Sequence, residues 1–161
     1  GAVDARQHRW HAMIPTYFWH GGIAGLRAGD LITPGHERPG LDGCPICTAR
    51  AAGKTAVING HPIDGPSQHP DRVYVTTHRL YARHYASLWG YGDLYRVEAV
   101  GEVARSGEDS FDTWTCEAAR VVGVHDRAVL LTMAERRRLY REWSAADQVA
   151  RVHRELAGGT P

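Results

Sequence analysis

Arg72-Val73-Tyr74-Val75-Thr76-Thr77-His78-Arg79-Leu80-Tyr81-Ala82-Arg83-His84-Tyr85-Ala86-Ser87-Leu88-Trp89-Gly90 is the stretch that decides the fold class. Its opening alternates β-branched and aromatic side chains, the pattern of a strand. From His78 to Trp89 the period changes. Leu80, Tyr81, His84, Tyr85 and Leu88 recur at three- and four-residue spacings, an amphipathic helix that Gly90 ends. A strand running directly into a helix, in a chain whose other regular segments mostly alternate, predicts an α+β domain.

Working outward, Asp93 to Val100 and Ala119 to His125 alternate as strands, and Val129-Leu130-Leu131 reads as a short further one. Thr132-Met133-Ala134-Glu135 is a capping-box sequence, so a helix is expected from there through Trp143. Ser144-Ala145-Ala146-Asp147 is expected to open another, ending near Gly158-Gly159. Upstream, Tyr17-Phe18-Trp19 reads as an aromatic strand that stops at His20-Gly21-Gly22, and a loop or hairpin leads on to Leu31-Ile32. Residues 34–71 are the least regular part and hold six of the eight prolines, so they read as a long irregular insertion. There are no internal repeats. The expectation is one domain over 1–161, a strand-dominated α+β core with a helical C-terminal tail.

With 161 residues, 43% of them hydrophobic, the chain suits one core of useful size. It has no apolar run of the roughly 18 residues a membrane-spanning helix needs, and no charged-apolar-small leader opens it. Nineteen basic side chains against eighteen acidic ones leave a formal charge of +1, which does not by itself indicate nucleic acid as a partner. All the basic residues except Lys54 are Arg. Three cysteines make a disulfide-stapled scaffold a poor fit, so a reducing, cytoplasmic setting is the expectation.

Two residues stand out singly. His20 lies at a strand end beside Gly21 and Gly22, which leave room for a ligand to approach the backbone; an imidazole there suits a sugar hydroxyl. Tyr74 offers a ring face for stacking on a planar ligand. Each alone is as readily structural.

Their order carries more. Tyr17-Phe18-Trp19-His20-Gly21, then Gly29-Asp30-Leu31-Ile32-Thr33-Pro34-Gly35, then Val73-Tyr74-Val75-Thr76-Thr77 and its helix, then Leu94-Tyr95-Arg96-Val97-Glu98-Ala99-Val100-Gly101 resembles the small bacterial mono-ADP-ribosyltransferases. The rifamycin-modifying ADP-ribosyltransferases are the nearest family in kind. The resemblance runs from Tyr17 to Val124, interrupted by the insertion. It implies a split antiparallel β-sheet with flanking helices, and a transferase that cleaves nicotinamide from NAD and passes ADP-ribose to an acceptor.

By that resemblance His20 holds the ribose hydroxyls and Tyr74 stacks on nicotinamide. Thr76 and Thr77 place the helix start, and Gly21, Gly22 and Tyr85 complete the NAD-binding set. A carboxylate must stabilise the cationic ribose formed as nicotinamide leaves. Asp109 is the expected one, with its neighbour Glu108 equal in chemistry, and Glu117 is the alternative from the broader superfamily. The acceptor, a macromolecule or a small molecule, stays open, as does the oligomeric state. The length of the insertion and the lack of an Asp-Asp-Pro stretch after Gly101 point away from an antibiotic. Without an acceptor, water makes the same chemistry an NAD glycohydrolase.

Cys44-Pro45-Ile46-Cys47 is half of a zinc knuckle; Cys116, His36, His61 or His69 are the candidates to complete a structural zinc site. This supplies the contrasting reading, a zinc-ordered, non-catalytic binding module that works through the basic helix of Arg136, Arg137, Arg138 and Arg141. RNA 2′-phosphotransferases share the NAD-binding fold, but they carry an extra N-terminal domain that this chain is too short to hold.

Overall fold

Two long alternating segments organise the molecule. In the computed structural model, which describes residues 14–34, 52–55, 57–58, 61–62, 69, 71–88 and 90–158, they form strands β6 (Asp93–Ser106) and β7 (Thr113–Asp126). The shorter strands are β1 (Tyr17–Gly22), β2 (Leu31–Ile32), β3 (Val57–Ile58), β4 (His61–Pro62) and β5 (Val73–Thr76). Helix α1 (Arg79–Leu88) follows β5, and α2 (Met133–Leu156) closes the described chain.

Among the described residues the architecture is α+β: a five-stranded antiparallel sheet, two helices, and a separate β3–β4 ladder within the insertion. The order β2-β7-β5-β1-β6 closes on itself, because β6 also pairs with β7. Alternation then sorts the side chains. Phe18, Val73, Val75, Tyr95, Val97, Trp114, Cys116 and Val121 point inward and form one buried core. Gly21, Trp19 and Leu94 point outward, where α1 lies on them through Ala82 and Ala86. A second outer cluster joins Leu80, Tyr81 and Phe111 to Leu139 of α2.

Asp93 ties the connections together from a position 1% exposed. It accepts the backbone N–H of Gly25 and of Ala128, each at 2.9 Å, and Arg127 at 2.6 Å. Desolvation alone would raise its pKa; those N–H bonds and the Arg127 charge hold it below the usual value.

Several boundaries differ from the expected ones. β1 runs through Gly22 because residues 17–22 pair one by one with Glu98 to Asp93. β6 continues past Val100, and β7 begins well before Ala119, because each supplies the other's ladder. Val129-Leu130-Leu131 is not a strand. Val129 is a core residue whose N–H bonds Gly92, and the segment leads straight into the Thr132 capping box. The two C-terminal helices are one, since nothing at Ser144 or Asp147 breaks the turn. No helix among the described residues is long and apolar enough to cross a membrane.

Candidate functional site

β1 and β5 share a single pair, Trp19 with Thr76, and splay apart beyond it. His20 fills that seam. Its Nδ1 lies 2.9 Å from the backbone carbonyl of Tyr74, standing in for a ladder bond the diverging strands cannot make. A carbonyl only accepts, so Nδ1 carries the proton and Nε2 is left as an acceptor. Burial pushes the imidazole pKa down and so favours the neutral ring, against the opposite pull of the Tyr74 carbonyl.

The two neighbouring glycines do different work. A Cβ on Gly22 would come within 2.9 Å of His20 Nε2, so its absence keeps that nitrogen clear. A Cβ on Gly21 would sit 1.8 Å from the Ala82 carbonyl oxygen. The room Gly21 leaves is therefore taken by α1 and not by a ligand.

Tyr74 leaves β5 on the other face from His20, since Val73 and Val75 point into the core. Its hydroxyl donates to Glu108 Oε2 and accepts the His69 backbone N–H at 3.1 Å. Ser106 Oγ also donates to Glu108 Oε2, at 3.2 Å. Asp109, next along, has another partner set. Tyr81 donates to its Oδ2 at 2.8 Å, and its Oδ1 takes the Phe111 N–H at 3.2 Å and the Thr113 hydroxyl at 3.0 Å. Asp112 faces Thr77, Trp114 and Arg105. The loop from 107 to 112 thus holds its acids in fixed directions, and Glu108 is the one directed at Tyr74.

Tyr85 joins this group through a 3.0 Å bond between its hydroxyl and that of Tyr81. Burial raises its pKa, the Tyr81 bond opposes this, and the charges of Asp109 and Glu108 raise it further. Thr76 accepts the His78 N–H at 3.0 Å, which starts α1, while its hydroxyl donates to the Asp112 carbonyl at 2.7 Å.

The structure therefore ties Tyr74, Thr76, Tyr85, Glu108 and Asp109 together through the 107–112 loop, while His20 and Gly22 lie on the opposite face of the sheet and reach that group through the Tyr74 carbonyl. Glu117 lies on the exposed side of β7, two residues beyond Tyr74's partner Thr115, with its carboxylate over Gly101 at the β6 irregularity. Gly101 has φ 78°, and a Cβ there would meet Glu117 Oε2 at 1.5 Å. Sequence reading missed Tyr81, although its i,i+4 relation to Tyr85 was visible.

Cys44, Cys47 and His36 lie outside the described residues. Cys116 does not suit a metal knuckle. It is fully buried, its thiol donates to the Val73 carbonyl at 3.7 Å, and burial pushes its pKa up to about 11. Among the described residues no group of three or more His, Cys, Asp or Glu side chains is arranged to hold a metal ion. No protein-family model matches this chain, and neither does any curated protein.

Proposed function

We propose that the protein is an NAD-dependent mono-ADP-ribosyltransferase built on an ADP-ribosyltransferase-like fold, with NAD bound across the β1–β5 seam. The observation that carries this reading is the bond from His20 Nδ1–H to the Tyr74 carbonyl. It fixes the imidazole with Nε2 as its acceptor nitrogen on the main chain of the residue whose hydroxyl holds Glu108.

In this mechanism His20 Nε2 accepts a hydrogen bond from a ribose hydroxyl and orients the sugar. The rings of Tyr74 and Tyr85 flank the planar nicotinamide. The bond from ribose C1′ to the nicotinamide nitrogen breaks with its electron pair going to the ring, which leaves neutral. The positive charge left on the ribose is stabilised by Glu108, preorganised by Ser106 and Tyr74. The acceptor's lone pair then forms the new bond to C1′, and its proton passes to Glu108 or to water. Asp109 has three donors on its two oxygens and so holds the loop rather than facing the reaction.

The test is nicotinamide release from NAD, measured with purified protein alone and with cell extract, followed by mass spectrometry for a transferred ADP-ribose. Release with a labelled acceptor supports transfer, and release without one reports glycohydrolysis. No release under either condition refutes the reading and leaves the binding module.

A further inference from the structure

Helix α2 carries six arginines, Arg136, Arg137, Arg138, Arg141, Arg151 and Arg154, against four acids. Three of those acids are occupied by the body of the protein. Glu135 pairs with Arg83 at 3.0 Å, and Asp147 accepts from Ser110. Glu142 Oε2 lies 3.0 Å from His78 Nε2, a close approach without hydrogen-bond alignment. Arg138 approaches Glu142 at 3.8 Å, and the fourth acid, Glu155, stands one turn beyond Arg151. Arg137, Arg141 and Arg151 are exposed and make no ion pair with any described residue.

Helical geometry places those three, with Gln148, on one stripe opposite the Leu139, Trp143 and Ala146 side that packs inward. From Arg137 to Arg151 the stripe is about 21 Å long at 1.5 Å per residue. Tyr140 stands at its edge, an aromatic ring with 71% of its surface exposed. Arg136 is near enough to His84 for its charge to act on that ring, and His84 packs against Tyr85 at 5.7 Å.

We propose that this face of α2, centred on Arg137, Tyr140, Arg141 and Arg151, is a docking surface for single-stranded nucleic acid. Unpaired guanidinium forks suit phosphates, which they grip in bidentate fashion. An exposed ring among them suits an unpaired base, because stacking needs a base free of its duplex partner. Acidic peptides and lipid headgroups supply the same negative charge without a planar base to stack on the ring, and the test sets them against the single strand.

The test is fluorescence anisotropy with a labelled 20-nucleotide single strand, its duplex, a poly-glutamate peptide and anionic phosphatidylserine vesicles, with thermal melting of each variant. The expected result is saturable single-strand binding whose log affinity falls against log salt with a slope of about −2, as for three neutralised phosphates. Replacing the arginines together (R137Q, R141Q and R151Q) weakens it roughly tenfold or more. Tyr140→Ala weakens single-strand binding roughly fivefold or more and leaves duplex binding unchanged. If the triple variant melts early, Arg141→Gln alone is read for a flatter salt slope. Absence of saturable binding at low salt, full binding by the variants, or equal Tyr140→Ala losses on single strand and duplex would overturn the proposal. So would tighter binding to poly-glutamate or to the vesicles.

Discussion

β6 and β7 run side by side from the pair Leu94–Asp126 to the pair Ser106–Thr113, with three register irregularities absorbed on the way. β1 and β5 meet once, at Trp19–Thr76. Both regions are built from alternating aromatic and β-branched residues, yet one is a continuous ladder and the other an opening. The ladder satisfies its backbone groups internally, and so it carries stability. At the seam a carbonyl is left for a side chain to satisfy, and the side chain that does so is the one that could hold a ligand. Where a small closed sheet stops pairing is where its chemistry has room to act.

The largest expected effect breaks the ladder side of this contrast. Leu94 is fully buried between β6 and α1, and Leu94→Ala should lower stability by about 2–5 kcal/mol in denaturant melts. Its effect on nicotinamide release per folded molecule should be small. If release falls much further than the folded fraction, ladder and seam are not separable.

Next in size, the seam is tested by exchanging its two acids. Glu108→Gln should slow nicotinamide release roughly 100-fold with little change in melting, as for charge stabilisation present only in the transition state. Asp109→Asn should do the reverse, costing about 1–3 kcal/mol through its bonds to Tyr81 and Thr113 while sparing most of the rate. A rate loss centred on Asp109 would return it to the role first expected for it.

The smallest effect is in pH. His20 and His84 both have pKa values lowered by burial, so the unfolded chain binds protons more readily than the folded one. Stability is therefore fully present above the unfolded value of about 6.5 and declines as pH falls below it, toward the folded values. His20→Asn should flatten that decline in melts between pH 5 and pH 7, about the range in which an ordinary imidazole titrates. An unchanged slope would place the linkage on His84 alone.

How far these features could be read from the sequence depended on whether the cause was local. The Val73–Thr76 strand and the α1 helix follow from their own periodicity, and the capping box at Thr132 starts α2 as expected. The full length of β6 and β7 was hidden, because Ala104, Arg105 and Ser106 are exposed or half-buried and pair only by proximity to β7. Within the site, His20 and Tyr74 were visible as residue types beside strand ends. The division of labour between Glu108 and Asp109 was not, since adjacent carboxylates look alike until Tyr74, Tyr81 and Thr113 choose between them. The seating of Glu117 over Gly101 was hidden for a similar reason, because the bulge that Gly101 opens to receive it leaves no periodic trace.

Gly21 has one more consequence, for how this sequence can drift. The carbonyl of Ala82 and the N–H of Ala86 stand where its side chain would begin, at 1.8 and 2.7 Å. No rotamer relieves a clash that starts at Cβ, and the obstacle is backbone, so trimming the helix side chains cannot make room. A descendant of this chain can therefore trade its loop acids, lengthen its insertion or recharge α2 one substitution at a time. Replacing Gly21 requires that α1 be lifted off the sheet in the same step, a change no single codon can make gradually.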